Sequence, residues 1–290
     1  MATKGIDISR YQGAPDFGKL KNEVDFVILQ AGFGRYASQK DAQFERSYAE
    51  CKKYGIPVGV YWYSYAKTAA DALAEARACM EVIAGKTFEY PIYYDLEEGL
   101  AALGRNTVSA IAAAFCNALE QAGYFAGIYI SRSPAQSYLT AEVCGKYALW
   151  LAEYGSKLNW SGAVGMWQNS STGRFSGISG DVDTDICYED YPKLIKAAGR
   201  NGFKKPESTV KVLDTAGFAR GDKSLGVLAY KQLLILAKKK GLISQTVDDN
   251  RSFGEGTEKA TNDLLRGFGF AENGIAGENL IRKLRKALAK

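Results

Sequence analysis

Between residues 1 and 200 the chain alternates short runs of apolar residues with longer segments of helical periodicity. Eight of the short runs are bounded by Gly, Pro, Asp or Ser and have the length and composition of β-strands. They comprise Gly5–Ser9, Asp25–Gln30, Val58–Tyr65, Pro91–Glu97, Ala126–Ile130, Ala148–Ala152, Val164–Gln168 and Asp181–Ile186. The pattern therefore predicts eight strands in this part of the chain.

Helical segments separate the early strands. Gln39–Tyr54, Thr68–Ile83 and Thr107–Gln121 carry apolar residues at a period near 3.6, and Thr68 is suited to cap the second of them. Alternating strands and helices are typical of a mainly parallel sheet, and eight strands favour an α/β fold closed into an irregular (β/α)8 TIM-like barrel. Because only loops fit between the sixth, seventh and eighth strands, we expect the helical layer to thin there.

Acidic residues lie where such a barrel carries its chemistry, at the carboxyl ends of the strands. Asp95 and Glu97 end the fourth strand two residues apart. Because successive side chains of a strand alternate between its two faces, both are expected to point to the same face. Asp7 lies near the end of the first strand. The eighth strand neighbours the first in a closed barrel, so Asp183 or Asp185 is expected to meet Asp7.

A cluster of acids in a partly dry cleft cannot stay fully ionised, so at least one carboxyl keeps its proton near neutrality. Cleavage of a glycosidic bond needs this pairing of a protonated acid with an anion that faces the developing cation. Aromatic side chains on the predicted strands could supply flat faces for sugar rings. They are Tyr61, Tyr63, Tyr65, Tyr129, Trp150 and Trp167.

Other interpretations of these residues stay open. An isolated Asp-x-Glu is commonly a surface loop, and strand aromatics are often barrel core, with Trp150 and Trp167 balanced between core and ligand platform. The Asp-x-Asp-x-Asp pattern at 181–185 could bind calcium, although it lacks the Gly and the terminal Glu of an EF-hand loop.

Composition narrows the chemistry further. The chain has no histidine, which excludes a Ser-His-Asp or Cys-His triad and any His-ligated metal, and we expect neither metal nor cofactor. Its five cysteines are never closer than 28 residues, which favours small buried side chains over disulfides. No apolar run is long enough to span a membrane, and the N-terminus lacks the apolar segment of a signal peptide, so no export signal is expected.

Charge divides the chain into two parts. Residues 208–290 hold 15 Lys and Arg against 9 Asp and Glu, a net charge of +6, whereas residues 1–207 carry −1. The polar stretch 199–208 has two glycines and a proline, a composition typical of a linker, and we place the linker at residues 200–209. We therefore predict a barrel over 1–199 and a small all-α module over 210–290.

The barrel's motifs, in their order, resemble glycoside hydrolase family 25, the Chalaropsis-type lysozymes or N-acetylmuramidases of phage endolysins and bacterial autolysins. The resemblance covers residues 4 to about 195. The motifs that carry it are Gly5-Ile6-Asp7-Ile8-Ser9 with Tyr11-Gln12-Gly13, Gly59-Val60-Tyr61-Trp62-Tyr63, Tyr94-Asp95-Leu96-Glu97, Gly127-Ile128-Tyr129, Leu149-Trp150-Leu151-Ala152-Glu153-Tyr154, Trp167-Gln168 and Val182-Asp183-Thr184-Asp185.

The resemblance implies retaining hydrolysis of the β-1,4 bond between N-acetylmuramic acid and N-acetylglucosamine in peptidoglycan. Glu97 matches the proton donor, and Asp95 matches the acid that supports attack by the substrate's own N-acetyl group or stabilises the cation. Asp7 and Asp183 match the acids of the first and last strands. Asp185 stands where the family often has Asn or Asp.

Substrate contacts are expected from Asp185 and from residues that follow the family's strand motifs: Tyr61, Tyr63, Tyr129, Trp150, Trp167 and Gln168. The chain departs from the family at Trp62, where members often carry His, and at Tyr93, where the related chitinase-type run has an extra Asp. Neither departure removes an acid that the mechanism needs.

The tail resembles the three-helix peptidoglycan-binding module. One amphipathic helix begins after Gly221 and ends at Lys240, Thr257 is expected to cap a second, and Asn279–Leu288 forms a third. Family members usually show Phe-Gln where this chain has Leu264-Leu265, and a helical bundle without a ligand remains an alternative. The positive charge would attract an anionic wall, and no motif for base recognition is present.

These observations favour a wall-degrading hydrolase whose partner is bacterial peptidoglycan, with no nucleic-acid or membrane partner. The resemblance to endolysins implies that the protein is made in the bacterial host cytoplasm without a signal peptide and acts on the wall after release. The alternative from another class is a non-catalytic carbohydrate-binding protein on a barrel scaffold. The sequence leaves the oligomeric state open.

Overall fold

The computed structural model describes residues 2–204 and 216–289. The chain divides into two compact units, Met1–Pro206 and Glu207–Lys290. Positions 205–209 of the predicted linker and 210–215 of the predicted module lie outside the described residues. The prediction of a linker at 200–204 is wrong, because these residues belong to the barrel unit and Asn201 is completely buried in it.

Asn201 replaces missing strand partners at the edge of the barrel. Its amide nitrogen donates to the carbonyl oxygens of Phe88 and Tyr90 at 3.2 and 2.8 Å, and its Oδ1 accepts the N–H of Phe125 at 2.7 Å. Since buried backbone groups must be paired, this one side chain satisfies three of them. The polar composition of 200–204 therefore serves packing on the barrel.

The eight predicted strands are present and close into a barrel in chain order. They are β1 Thr3–Ile8, β2 Phe26–Phe33, β3 Val58–Tyr63, β4 Ile92–Asp95, β5 Ala126–Ser131, β6 Ala148–Ala152, β7 Met166–Gly173 and β8 Val182–Cys187. Neighbours from β1 to β7 are parallel, whereas β8 runs antiparallel to both β7 and β1. The predicted fold class is confirmed.

Helices surround the early strands and thin out later, as the sequence predicts. They are α1 Phe17–Leu20, α2 Phe44–Tyr54, α3 Ala69–Ile83, α4 Leu100–Gln121, α5 Arg132–Tyr138, α6 Ala141–Lys146 and α7 Tyr191–Ala198. Thr68 caps α3 by accepting the N–H of Asp71 at 3.1 Å. No helix among the described residues separates β6 from β7 or β7 from β8.

The period of two divides the strand residues between two cores. Outward-facing residues such as Ile6, Ile8 and Leu29 pack under the helices. Inward-facing residues fill the barrel and include Phe26, Ile28, Tyr93, Trp150 and Met166. Gly127 admits the Tyr93 ring, because a Cβ at this position would lie 2.5 Å from two carbons of that ring.

Over its described residues, 216–289, the second unit contains three helices, α8 Leu225–Lys239, α9 Glu255–Gly267 and α10 Glu278–Leu288. It also has two-residue strands, β9 Gly217–Phe218 and β10 Ala276–Gly277, paired antiparallel, so the unit is mainly rather than wholly helical. Thr257 does not cap α9. The cap is Gly254, and Thr257 is buried in the first turn. None of the helices in the described parts of the chain is long and apolar enough to cross a membrane.

A buried lysine organises the loop between α8 and α9. The Lys231 side chain is fully buried, and its Nζ donates to Asp248 Oδ1, Asn250 Oδ1 and the Ser252 carbonyl at 2.7, 2.8 and 2.9 Å. The ammonium group therefore uses its three donors on three acceptors of one loop, which is the condition for burying a lysine.

Candidate active site

Four acids meet at one rim of the barrel. Asp7 lies near the end of β1, Asp95 is the last residue of β4, and Glu97 follows two residues later. Because β8 is antiparallel, its beginning lies at this rim, and Asp183 pairs with Asp7 in the strand register. Residues separated by more than 170 positions are thereby brought side by side.

The four acids line a cavity of about 220 Å³. Five further predicted residues line the same cavity: Tyr61, Tyr63, Tyr129, Trp150 and Gln168. All nine except Glu97, which lies just past its strand, are inward-facing residues of the strands. The alternation of side chains along each strand therefore explains why these residues converge on one cavity.

Two predicted residues lie elsewhere. Asp185 faces inward below the rim, is only 1% exposed, and does not line the cavity. Trp167 lies on the face of β7 opposite to Gln168, and its indole N–H donates to the Glu153 carbonyl at 2.7 Å. The prediction that these two side chains line the substrate site is wrong. Asp185 lies too deep in the barrel, and Trp167 points to the outer face of its strand.

Three lining residues were not predicted: Tyr11, Gln30 and Tyr154. Gln30 ends the predicted second strand, and a polar residue at the carboxyl end of a barrel strand is the signal that could have found it. Tyr11 lies in a short 3-10 helix, Arg10–Gln12, that follows β1, and Tyr154 lies in the loop after β6. In both places the sequence alone does not fix the direction of a side chain.

Asp7 is the most strongly held of the acids. It is 6% exposed, and Gln168 Nε2 donates to its Oδ2 at 2.8 Å. Burial and the neighbouring charge of Asp183 raise the pKa of Asp7 to about 8, against hydrogen bonds from Gln168 and Asp185 that lower it. Desolvation outweighs hydrogen bonding here, so Asp7 keeps a proton well above the usual range of a carboxyl group.

Asp185 supports Asp7 from beneath. Its Oδ1 accepts the indole N–H of Trp150 at 2.8 Å. Burial, followed by the charge of Asp7, raises the pKa of Asp185 well above its usual range. Since burial and the charge of each carboxyl group both disfavour ionisation of the other, we infer that the pair holds at least one proton at neutral pH.

This arrangement predicts a pH-dependent effect of Asp185→Asn on stability. A raised pKa in the folded state makes folding less favourable as pH rises above the unfolded value near 3.8, through a window that reaches about 8 for Asp7. The amide mimics the protonated acid and does not titrate. The melting temperature of the variant should match that of the parent at pH 4 and exceed it by about 4–8 °C at pH 7, equivalent to about 2 kcal/mol in a domain of this size.

Tryptophan fluorescence measures this transition, because all four tryptophans lie in the barrel unit. Asp181→Asn is the matched control, since Asp181 is exposed and forms an ion pair with Arg174 at 2.9 Å. A stability difference for Asp185→Asn that does not change between pH 4 and pH 7 would contradict the shared proton.

Asp95 and Glu97 differ in environment although two residues separate them. Asp95 is 4% exposed, and its Oδ1 is buried without a hydrogen-bond partner. Burial, then the charges of Glu97 and Asp7, raise the pKa of Asp95 well above its usual range. Glu97 is exposed at the rim, and partial desolvation with the charges of Asp183 and Glu98 raises its pKa, while the nearby Tyr129 side chain lowers it.

A chain of polar side chains links the two sides of the cavity. Tyr129 and Tyr154 both donate hydroxyl protons to Gln168 Oε1, at 2.9 and 3.3 Å, and Gln168 in turn donates to Asp7. Gln168 therefore fixes the position of Asp7 relative to Tyr129 and Tyr154.

The calcium interpretation of residues 181–185 finds no support in the geometry. Asp181 is exposed and paired with Arg174, Asp183 lines the cavity, and Asp185 is buried against Trp150. Within residues 2–204 and 216–289, no group of three or more Cys, Asp or Glu side chains is arranged to hold a metal ion.

Comparison with known proteins agrees with this geometry. The family model for glycosyl hydrolases family 25 matches residues 6–178. No curated protein matches the chain. Among solved structures, the modular autolysin LytC from Streptococcus pneumoniae, in complex with a synthetic peptidoglycan ligand, is 32% identical with a TM-score of 0.58, and the match covers 64% of this chain and 47% of that one. The chain thus spans about half the length of that autolysin.

Two further structures share the fold. The CTP1L endolysin is 28% identical over 67% of this chain and 70% of its own, with a TM-score of 0.60. A bacterial lysozyme from Streptomyces coelicolor is 22% identical over 68% and 96% of the two chains, with a TM-score of 0.57, and this likeness concerns the fold alone. Since the family model spans more than half of the sequence and ends within the barrel, the chain belongs to glycosyl hydrolases family 25.

Proposed function

We propose that the protein is a lysozyme that hydrolyses the β-1,4 bond between N-acetylmuramic acid and N-acetylglucosamine in bacterial peptidoglycan, with retention of configuration. The observation that carries the proposal is the convergence of Asp7, Asp95, Glu97 and Asp183 on one cavity. Family membership supports it, as does the similarity to an autolysin whose structure holds a peptidoglycan ligand.

Glu97 is proposed as the general acid. A general acid must hold a proton at the working pH and reach the leaving oxygen. The raised pKa of Glu97, caused first by partial desolvation, supplies the proton, and its exposed position at the rim gives access to the linkage. The Tyr129 hydroxyl can then stabilise the carboxylate that remains after proton transfer.

Asp95 is proposed to assist the substrate's N-acetyl group, or to stabilise the oxocarbenium charge, during attack at the anomeric carbon. Its buried Oδ1 has no partner in the protein, so it is available to a donor or to positive charge on the substrate. Positive charge that develops in the transition state favours the ionised form of a carboxyl group whose pKa burial has raised. The interaction therefore strengthens along the reaction, which is the requirement for catalysis.

Asp7 and Asp183 are proposed to hold the sugar and shape the field of the cleft. Asp7 is fixed by Gln168, and Asp183 faces the cavity beside it. The pKa values of Asp7 and Asp183 are raised, so these carboxyl groups keep their protons at a higher pH than an ordinary aspartic acid does. They can therefore donate hydrogen bonds to sugar oxygens as well as accept them.

Mass spectrometry of digested peptidoglycan tests this proposal. N-acetylmuramic acid at the new reducing end supports a muramidase, whereas N-acetylglucosamine at that end indicates a glucosaminidase and contradicts it. NMR of the first-formed anomer tests retention. A protein that binds the polymer and releases no reducing ends would instead be a carbohydrate-binding protein on a barrel scaffold.

We further propose that the second unit increases attachment to the wall through its positive charge. A chain ended after residue 206 should cleave soluble peptidoglycan fragments at an unchanged rate, because the catalytic acids all lie in the first unit. It should sediment with intact walls several-fold less than the full chain. Sedimentation is measured with both lengths carrying Glu97→Gln, so that the walls stay undigested.

Equal sedimentation of the two lengths would refute the binding role of the second unit. A difference that disappears in high salt would identify general attraction to an anionic polymer, since screening shortens the reach of exposed charges to about 3 Å at 1 M salt.

A further inference from the structure

Beside the cavity, five side chains form a continuous strip on the same rim of the barrel. The aromatic strip, as we call it, consists of Tyr11, Arg10, Phe33, Tyr65 and Tyr63. Tyr11 is 79% exposed and Tyr65 54% exposed. Contiguous exposed aromatic surface on a soluble protein commonly marks a binding site, so the strip needs an explanation beyond folding.

Contacts between neighbours make the strip continuous. The guanidinium carbon of Arg10 lies 5.1 Å from the ring centre of Tyr11 and 5.7 Å from that of Phe33. The Phe33 ring packs edge-on against Tyr65 with centres 6.1 Å apart, and Tyr65 lies 5.2 Å from Tyr63. Each member is therefore positioned by the next.

A buried carboxyl group fixes the backbone of the strip. Glu75 on α3 is 2% exposed, and its Oε1 accepts the backbone N–H of Tyr65 at 2.9 Å. Its Oε2 accepts the Tyr94 hydroxyl at 2.6 Å. Tyr65 therefore leaves the barrel in a set direction, and a surface ordered before binding loses less entropy when a ligand binds.

The strip continues the cavity. Tyr11 and Tyr63 belong both to the strip and to the cavity lining. The cavity, at about 220 Å³, is smaller than the roughly 300–1,000 Å³ of typical small-ligand sites. A polymer cleaved in this cavity must therefore lay its remaining units on the adjoining surface.

Charge distinguishes the strip from the cavity. The cavity is lined by four acidic side chains, which would repel an anionic part of a ligand once ionised. Arg10 supplies a cation just outside it, and no carboxylate of the described residues forms an ion pair with its guanidinium group. Its charge is therefore available to a ligand.

We propose that the aromatic strip binds sugars of the glycan strand beyond the pair that is cleaved, and that Arg10 binds a carboxylate of the peptide attached to that strand. This inference rests on the proposed function. The C–H faces of sugar rings pack on aromatic rings, while tyrosine hydroxyls bond sugar hydroxyls. Tyrosine and arginine are also the residues that contribute most per side chain at binding surfaces.

Binding tests the sugar part of the proposal. Affinities of the Glu97→Gln protein for a peptide-free disaccharide and for a peptide-free octasaccharide of the glycan are measured by NMR titration, with and without Tyr65→Ala. The octasaccharide should bind about fivefold more weakly to the Tyr65→Ala protein, as expected for one lost ring contact. The disaccharide, which occupies only the cavity, should bind equally to both.

Tyr188→Ala is the matched control, because Tyr188 is 45% exposed and follows β8 at the opposite rim. It should leave both affinities unchanged. Equal loss for both oligomers would place Tyr65 within the cavity's own binding function, and unchanged octasaccharide affinity would show that the strip does not bind glycan. Either result overturns the proposal.

The charge part has its own test. At low salt, Arg10→Gln should weaken binding of a peptide-bearing octasaccharide about threefold more than it weakens binding of the peptide-free octasaccharide, as expected for one exposed ion pair. Arg77→Gln, at an exposed position on α3, is the control. Equal effects of Arg10→Gln on both ligands would overturn the role of Arg10. Octasaccharide binding through the strip without turnover by the parent protein would refute the proposed function and leave this inference standing.

Discussion

Replacement of Glu97 by Gln is expected to lower kcat on peptidoglycan by about 10³-fold, within the range attributed to general acid catalysis. The amide keeps the size of the side chain and cannot transfer a proton to the leaving oxygen. Binding to the wall should change little, because the amide of Gln keeps the size of the side chain and can still form hydrogen bonds. Release of reducing ends measures the first effect, and sedimentation with walls measures the second.

Glu98→Gln is the matched control. Glu98 is the adjacent exposed carboxylate, accepts the Tyr63 hydroxyl at 3.0 Å, and does not line the cavity. Its substitution should change kcat less than threefold, in keeping with the modest value of exposed charges. Comparable losses in the two variants would show that the charge of this loop, rather than a proton on Glu97, supports turnover.

The pH profile provides an independent check of the same role. Partial desolvation raises the pKa of Glu97, so the parent enzyme should remain active to higher pH than an ordinary glutamic acid would allow. Activity should then fall as pH rises through that pKa, because the required form is the protonated one. Residual activity of Glu97→Gln should lack this alkaline limb.

The barrel and most of the cavity could be predicted, because successive side chains of a strand point alternately to the two faces of the sheet. Ile6 and Ile8 point outward from β1, so Asp7 between them must point inward. The same reasoning applies to Asp95 on β4 and to Gln168 on β7. A local pattern thus determines the face on which a side chain lies, and closure of the sheet brings those faces together.

Direction and depth could not be predicted in this way. The antiparallel course of β8 depends on how the long loop after β7 returns, and it decides that Asp183 lies at the rim while Asp185 lies below it. The two aspartates share a parity, so only the direction of the strand separates their roles. Trp167 differs in the opposite way: the family motif predicts a substrate contact, but its place in the strand alternation turns the indole away from the cavity and toward the Glu153 carbonyl.

The packing of the polar segment 200–204 against the barrel also could not be predicted from the local sequence. The sequence around this segment, with Gly199, Gly202 and Pro206, favours a linker locally. However, the carbonyl and amide groups that Asn201 pairs belong to residues 76 to 113 positions away. Hydrogen bonds between residues so far apart produce no periodic pattern in the local sequence. The end of the barrel could therefore be placed only once its unpaired backbone groups were known.

The second large effect is expected at Asp95. Asp95→Asn should lower kcat by about 10²–10³-fold with little change in KM, as for loss of one preorganised electrostatic contact in a transition state. The variant keeps the shape of a side chain that is 4% exposed, so the barrel should remain folded. Steady-state rates on soluble peptidoglycan fragments measure the effect, and tryptophan fluorescence confirms the fold.

Asp185→Asn separates this role from general crowding by acids. Asp185 is also a buried aspartate whose pKa burial raises, yet it bonds Trp150 and does not line the cavity, so its amide variant should keep kcat within about threefold. A substrate whose 2-acetamido group is replaced by hydroxyl then identifies what Asp95 assists. If the parent enzyme cleaves that substrate as fast as the natural one, participation of the N-acetyl group is refuted, and the role left for Asp95 is stabilisation of the cation. If instead kcat falls as much as it does in Asp95→Asn, and the variant shows no further loss on the modified substrate, the result supports assistance to the N-acetyl group.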